Sequence, residues 1–159
     1  MAVPTDPKRL QVIDRIVAVL QSITAGDNYF FTPGEVVKRF VHWSEAKMFP
    51  TYMVFAASGG KIELSGAPDL YDEDVMVSVK GIVRHPEDTV SLLEKALRDV
   101  RRAINEDAKS GAAGSLGVLA VETRIEEGPE TDDGYLSIEG FGFFDQRIRI
   151  RIAGDYGEL

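Results

Sequence analysis

The chain has 159 residues, 44% hydrophobic and 28% charged, with a formal net charge of -8 and no cysteine. That length fits one domain over residues 1–159, large enough to bury a core without covalent staples. The missing cysteines exclude disulfides, thiolate catalysis and cysteine-ligated zinc, and the acidic balance disfavours non-specific nucleic-acid binding, which draws its affinity from neutralised phosphates.

Pro7 opens the first predicted helix, with Thr5 or Asp6 as its N-cap. Leu10, Ile13, Ile16, Val17, Leu20 and Ile23 recur at helical spacing; Val12 and Val19 widen the stripe, and Gly26 follows as a stop. Tyr29-Phe30-Phe31 begins an extended segment that Pro33-Gly34 interrupts and Val36, Val37, Phe40 and Val41 resume. Two strand pieces or one bent strand fit it. Thr51 to Ala57 reads as a strand, Gly59-Gly60 as a tight turn, and Lys61 to Leu64 as a short strand pairing back. In Asp74 to Arg84, Val75, Val77 and Val79 alternate with Met76, Ser78 and Lys80, and Gly81 marks a bulge or a close backbone approach.

Pro86-Glu87-Asp88-Thr89 starts a second helix, with anionic residues at the positive end of its dipole. Val90, Leu93, Leu97, Val100 and Ile104 form its core stripe. Glu94 with Arg98, and Lys95 with Asp99, are expected as solvent-face pairs. Ser110 to Gly117 reads as a flexible loop. Leu119, Val121, Thr123 and Ile125 then alternate with outward Glu122, Arg124 and Glu126, and Glu127 to Gly134 reads as an acidic hairpin tip carrying Pro129. Tyr135 to Phe144 runs back as a strand. The expected fold class is α+β, with a mainly antiparallel sheet and two amphipathic helices packed on one face.

The strand Gln146 to Ala153 is the most distinctive stretch. Ile148, Ile150 and Ile152 point one way and Arg147, Arg149 and Arg151 the other. Stacked guanidinium groups repel unless something anionic covers them. Two readings stay open: a solvated edge charged against unwanted pairing, or a subunit seam. A seam would set Arg147, Arg149 and Arg151 of one copy against Glu126, Glu127, Glu130, Asp132 and Asp133 of the next.

Residues that could carry chemistry lack the necessary frames. His42 and His85 have no second histidine at helical spacing. Asp69, Asp72, Glu73 and Asp74 lack the glycine and distal glutamate of a calcium loop, and read as a solvated turn. Gly111, Gly114 and Gly117 follow a helix and open a strand, the reverse of a phosphate-cradling loop. Phe141, Phe143 and Phe144 read as core or subunit contact rather than as base-stacking platforms. No catalytic, cofactor-binding or metal residue is assigned, so no enzyme activity and no cofactor are expected. The polar start and the lack of any ~20-residue apolar run give the expectation of synthesis in the cytosol, without a membrane segment.

The order and pattern resemble a known family. An amphipathic helix with Arg15-Ile-Val-Ala-Val-Leu-Gln is followed by Tyr29-Phe30-Phe31, Val36-Val37, Pro50 leading to Val54, and Val75-x-Val77-x-Val79-x-Gly81. A second helix, Leu92 to Val100, then precedes a final hairpin closing on Arg147 to Ile152 and Tyr156. This resembles the tail terminator, or tail completion, proteins of long-tailed bacteriophages over most of the chain. The resemblance implies a virion protein made in the host cytoplasm, whose subunits form a homo-oligomeric ring, a hexamer. Such a ring caps the tail tube, ends its polymerisation and joins the tail to the head connector. Its partners are itself, the tail tube protein and the head–tail connector protein, while DNA passes through the channel without specific binding. Another phage neck or tail component, or a small-ligand binding domain, are the alternative readings.

Overall fold

The computed structural model describes residues 3–57, 60–64, 70–110, 122–130 and 140–155. In chain order the elements are α1 (Lys8–Gln21), β1 (Glu35–Val37), β2 (Thr51–Ala57), β3 (Ile62–Leu64), β4 (Leu70–Arg84), α2 (Thr89–Ser110), β5 (Glu122–Glu130) and β6 (Phe141–Asp155). The sheet runs β1-β2-β4-β6-β5, with β3 pairing β4 beside β2. Among the described residues only β1 and β2 are parallel, and every other pair is antiparallel. The α+β expectation holds, with both helices over one sheet face.

Side-chain alternation divides the sheet cleanly. Val75, Val77 and Val79 of β4, Ile148, Ile150 and Ile152 of β6, and Tyr52 and Val54 of β2 meet the helices in the main core. Ile148, Ile150 and Ile152 are fully buried, each worth about 1.5–3 kcal/mol in apolar burial. Gly81 is the predicted close approach: a Cβ there would run into the Phe144 ring, which packs 6.1 Å from Tyr52. Phe144 therefore lies in the main core, while Phe141 and Phe143 take the opposite face, as their spacing required.

Several expectations are corrected. The core of α1 centres on Val12, Ile16, Val19 and Leu20, with Ile13 and Val17 flanking it. Pro7 caps α1 without a side-chain hydrogen bond; the Asp6 carbonyl instead accepts from the Gln11 side chain. The helix ends at Gln21, before Gly26. In the segment from Tyr29 to Val41, only Glu35–Val37 is a strand. The acidic stretch Asp72, Glu73, Asp74 is part of β4 rather than a turn, because β3 and β6 pair with it from both sides. Glu127 and Glu130 lie within β5 rather than at a hairpin tip, as the strand continues past a register shift between Ile125 and Pro129. Ser110 ends α2. The rest of the Gly-rich loop, Ser58, Gly59, Asp69 and residues 131–139 lie outside the described residues.

Asp99 is the largest departure. It is fully buried, not paired with Lys95 at the surface. Its carboxylate accepts from the Phe30 amide at 2.9 and 3.1 Å and from the Phe31 amide at 2.9 Å. It thereby pins the non-strand Tyr29–Phe31 segment to α2. Burial pushes the Tyr52 phenol up, and the Asp99 carboxylate adds to the shift. Lys95 and Arg98 lie instead over the Phe30 ring, at 5.5 and 5.2 Å.

Candidate interaction face

The outward face of the sheet holds every predicted site residue whose side chain is described. One end is apolar. There Val41, Met53 and Ile82 form a second core, flanked by Val37, Ala46, Phe49, Phe55, Phe141 and Phe143. The segment after β1 closes over it: Trp43 and Phe49 pack 5.2 and 6.0 Å from Phe141. Arg84 caps the same ring at 5.4 Å.

The other end is a lattice of charge. Antiparallel register sets Asp74 opposite Arg151, Met76 opposite Arg149 and Ser78 opposite Arg147. On the far side, Glu122 faces Arg151 and Arg124 faces Arg149. Arg149 binds Glu126 at 2.8 Å and Asp74 at 3.5 Å, and Arg151 binds Asp72 at 2.9 Å. Arg124 pairs with Glu122 at 2.9 Å, and Lys61 with Glu63 at 2.5 Å. Asp72 pushes the Arg151 pKa up from the ordinary arginine value through this hydrogen bond and its charge. Shallow clefts of about 220 and 170 Å³ lie between these groups. Lys61, Glu63, Asp72, Asp74 and Arg151 line the first, and Asp74, Glu122, Arg124, Arg149 and Arg151 the second. Both are walled by paired charges rather than apolar surface, unlike the usual pocket for a small organic ligand.

The acid demanded by the arginine row therefore comes largely from the same chain. Asp72 and Asp74, which the sequence placed in a turn, are unforeseen partners, and Glu126, expected to meet the row from another copy, binds Arg149 of its own chain. Arg147 differs. It is exposed, and its side chain makes no hydrogen bond or ion pair among the described residues. It stands opposite the β5 register shift, where the ladder skips from Ile125↔Ile148 to Pro129↔Gln146. Asp132 and Asp133 lie outside the described residues.

Gln146 holds that irregular junction together, and sequence reading missed it. Its side chain is fully buried and donates to the Glu126 and Arg147 carbonyls at 3.0 and 2.9 Å. It accepts from Arg101 of α2 at 2.7 Å. A polar residue at an inward position of an otherwise isoleucine strand was the available signal.

The histidines serve turns. His85 Nδ1 accepts from the Glu87 and Asp88 amides at 3.0 and 2.7 Å, and His42 Nδ1 pairs with the Ser44 hydroxyl at 2.6 Å. Among the described residues no three His, Asp or Glu side chains converge as a metal site would require. No described helix is long and apolar enough to cross a membrane. No protein-family model matches the chain, and a search of curated proteins finds no match either.

Proposed function

We propose that this chain is a structural virion protein whose subunits assemble into a ring. The ring caps a phage tail tube, ends its polymerisation and joins the tail to the head connector. The observation that carries the reading is the division of labour in the sheet. Both helices cover one face, while among the described residues half of the other face carries the charged lattice of β3, β4, β5 and β6. That α+β subunit agrees with the fold implied by the resemblance to tail terminators, and a two-faced sheet suits a protein that must contact copies of itself.

On this reading the ring is a hexamer, its further partners are the tail tube and head–tail connector proteins, and the protein resides in the virion after synthesis in the host cytoplasm. DNA crosses the channel without a specific site, and the net charge of -8 favours passage over adhesion. The chain acts without catalysis or cofactor. Sedimentation and negative-stain imaging of the purified protein, alone and with tail tubes, test the proposal. Closed rings that stop tube growth are expected; a monomer under both conditions, or incorporation along the tube, refutes it.

A further inference from the structure

The charges on the outward sheet face are unevenly spent. Arg149, Arg151, Arg124 and Lys61 are each held by a carboxylate of the same chain. Lys80 and Arg147 are not. Both are exposed, and among the described residues neither side chain makes a hydrogen bond or ion pair. They are neighbours: Lys80 pairs in register with Asp145 and Arg147 with Ser78, so the two cations sit diagonally across β4 and β6, about 7–8 Å apart at the backbone. Asp145 lies between them and accepts from the Ser78 hydroxyl, so among the described side chains two cations face one carboxylate.

Position sharpens the meaning of this pair. On one side lies the neutralised lattice. On the other lie the half-buried Phe55 and Phe143, opposite Ser78 and Ile82. Unpaired cations beside partly covered aromatic rings make a surface on which an anchor can be desolvated, as in the centre of a protein interface. A small anion would leave the aromatic shelf unused, whereas a polypeptide carrying carboxylates would cover both.

We propose that Lys80 and Arg147 anchor a carboxylate-rich segment of a second copy of this chain on the outward sheet face. The proposal rests on the ring reading above and narrows the contact to two residues. Charge complementarity selects the occupant. Copies with a net charge of -8 repel one another, so association needs a local cationic surface, and most other cations of the sheet face are already neutralised. The chain itself is rich in the counterpart: beyond Glu126, which Arg149 holds, it carries Glu127, Glu130, Asp132 and Asp133 in seven residues of sequence. Such a contact joins two different surfaces and is heterologous, the kind that closes rings.

Sedimentation velocity on the full chain tests it, with negative-stain images of each associated sample. The double variant Lys80→Glu/Arg147→Glu should weaken self-association at least about tenfold, while Arg149→Gln, which loses only same-chain partners, should stay within about twofold. Salt near 0.5 M should weaken the wild type more than the double variant. If circular dichroism shows the charge-reversed variant to be unfolded, Lys80→Gln/Arg147→Gln takes its place and must still associate more weakly. Wild-type association that neither variant changes overturns the anchor and leaves the ring standing. Association lost in the variant, but whose wild-type particles are open pairs instead of rings, supports the anchor and overturns the ring. A wild type that is monomeric at every concentration overturns the proposal.

Discussion

Replacing Asp99 by alanine should be among the most damaging single changes in this protein. The carboxylate is fully buried and binds two backbone amides, Phe30 and Phe31, with three contacts of 2.9 to 3.1 Å. Hydrogen bonds to a charged group contribute about 1.5–3 kcal/mol each, so two satisfied donors amount to roughly 3–6 kcal/mol gross. Relief of the buried charge and access of water beside the exposed Phe30 offset part of this, leaving an expected loss of about 2–4 kcal/mol. For a chain of this size, that lowers Tm by roughly 5–15 °C. Urea unfolding measures the global loss. Hydrogen exchange locates it, because the Phe30 and Phe31 amides should lose protection before those of β4. Asp99→Asn should fall between wild type and Asp99→Ala, since one oxygen still accepts while the new amide faces a donor. A loss below about 1 kcal/mol, with both amides as protected as before, would refute the assigned clamp.

Three further outcomes are expected. Gln146→Leu strands the Arg101 Nε and the Glu126 and Arg147 carbonyls; urea unfolding should show a loss of about 2–4 kcal/mol, and a neutral result would show that water replaces the side chain without cost. Gly81→Ala drives a methyl into the Phe144 ring and should cost about 1–3 kcal/mol, with Phe144→Leu recovering part of it; a cycle with no coupling contradicts the contact. The Ser91 amide, 3.0 Å from Asp88, holds the Asp88 carboxyl below its ordinary 3.8, so its stabilising contribution is present above about pH 4 and is lost as pH falls through the depressed folded-state value. The Tm gap between wild type and Asp88→Ala should therefore close in strong acid, and a gap independent of pH would show that the cap does not act through its charge.

The sheet and helices were legible because their signals are periodic. Val75, Val77 and Val79 and the isoleucines of β6 follow a period of two, and the stripes of α1 and α2 follow the helical period. What escaped depends on partners far away in sequence. Asp99 looks like a surface residue on a helix until the Phe30 and Phe31 amides, 69 and 68 positions earlier, come to it. Asp72 and Asp74 were hidden for the opposite reason. Consecutive acids suppress a strand signal, and the facing arginines of β6, with Arg9 of α1 beside Glu73, make such a strand tolerable. The arginine row correctly announced that acid must lie nearby, but alternation along one strand carries no information about which strand will lie beside it. Arg147 stood out only after its neighbours in the row had been matched.

β4 and β6 share an unbroken register of fifteen residue pairs, from Leu70↔Asp155 to Arg84↔Phe141. At about 3.4 Å per residue, that makes a continuous ribbon up to some 50 Å long. Its hydrogen bonds lie across the strands, so a pull along the ribbon loads them all in parallel and must shear them together. β5 offers no such resistance: its pairing with β6 is interrupted between Ile125 and Pro129, so it can peel away in two short steps. The subunit is mechanically anisotropic, stiff along its central pair and compliant at one margin. Under tension the first structure to yield should be β5, leaving the β4–β6 ribbon intact.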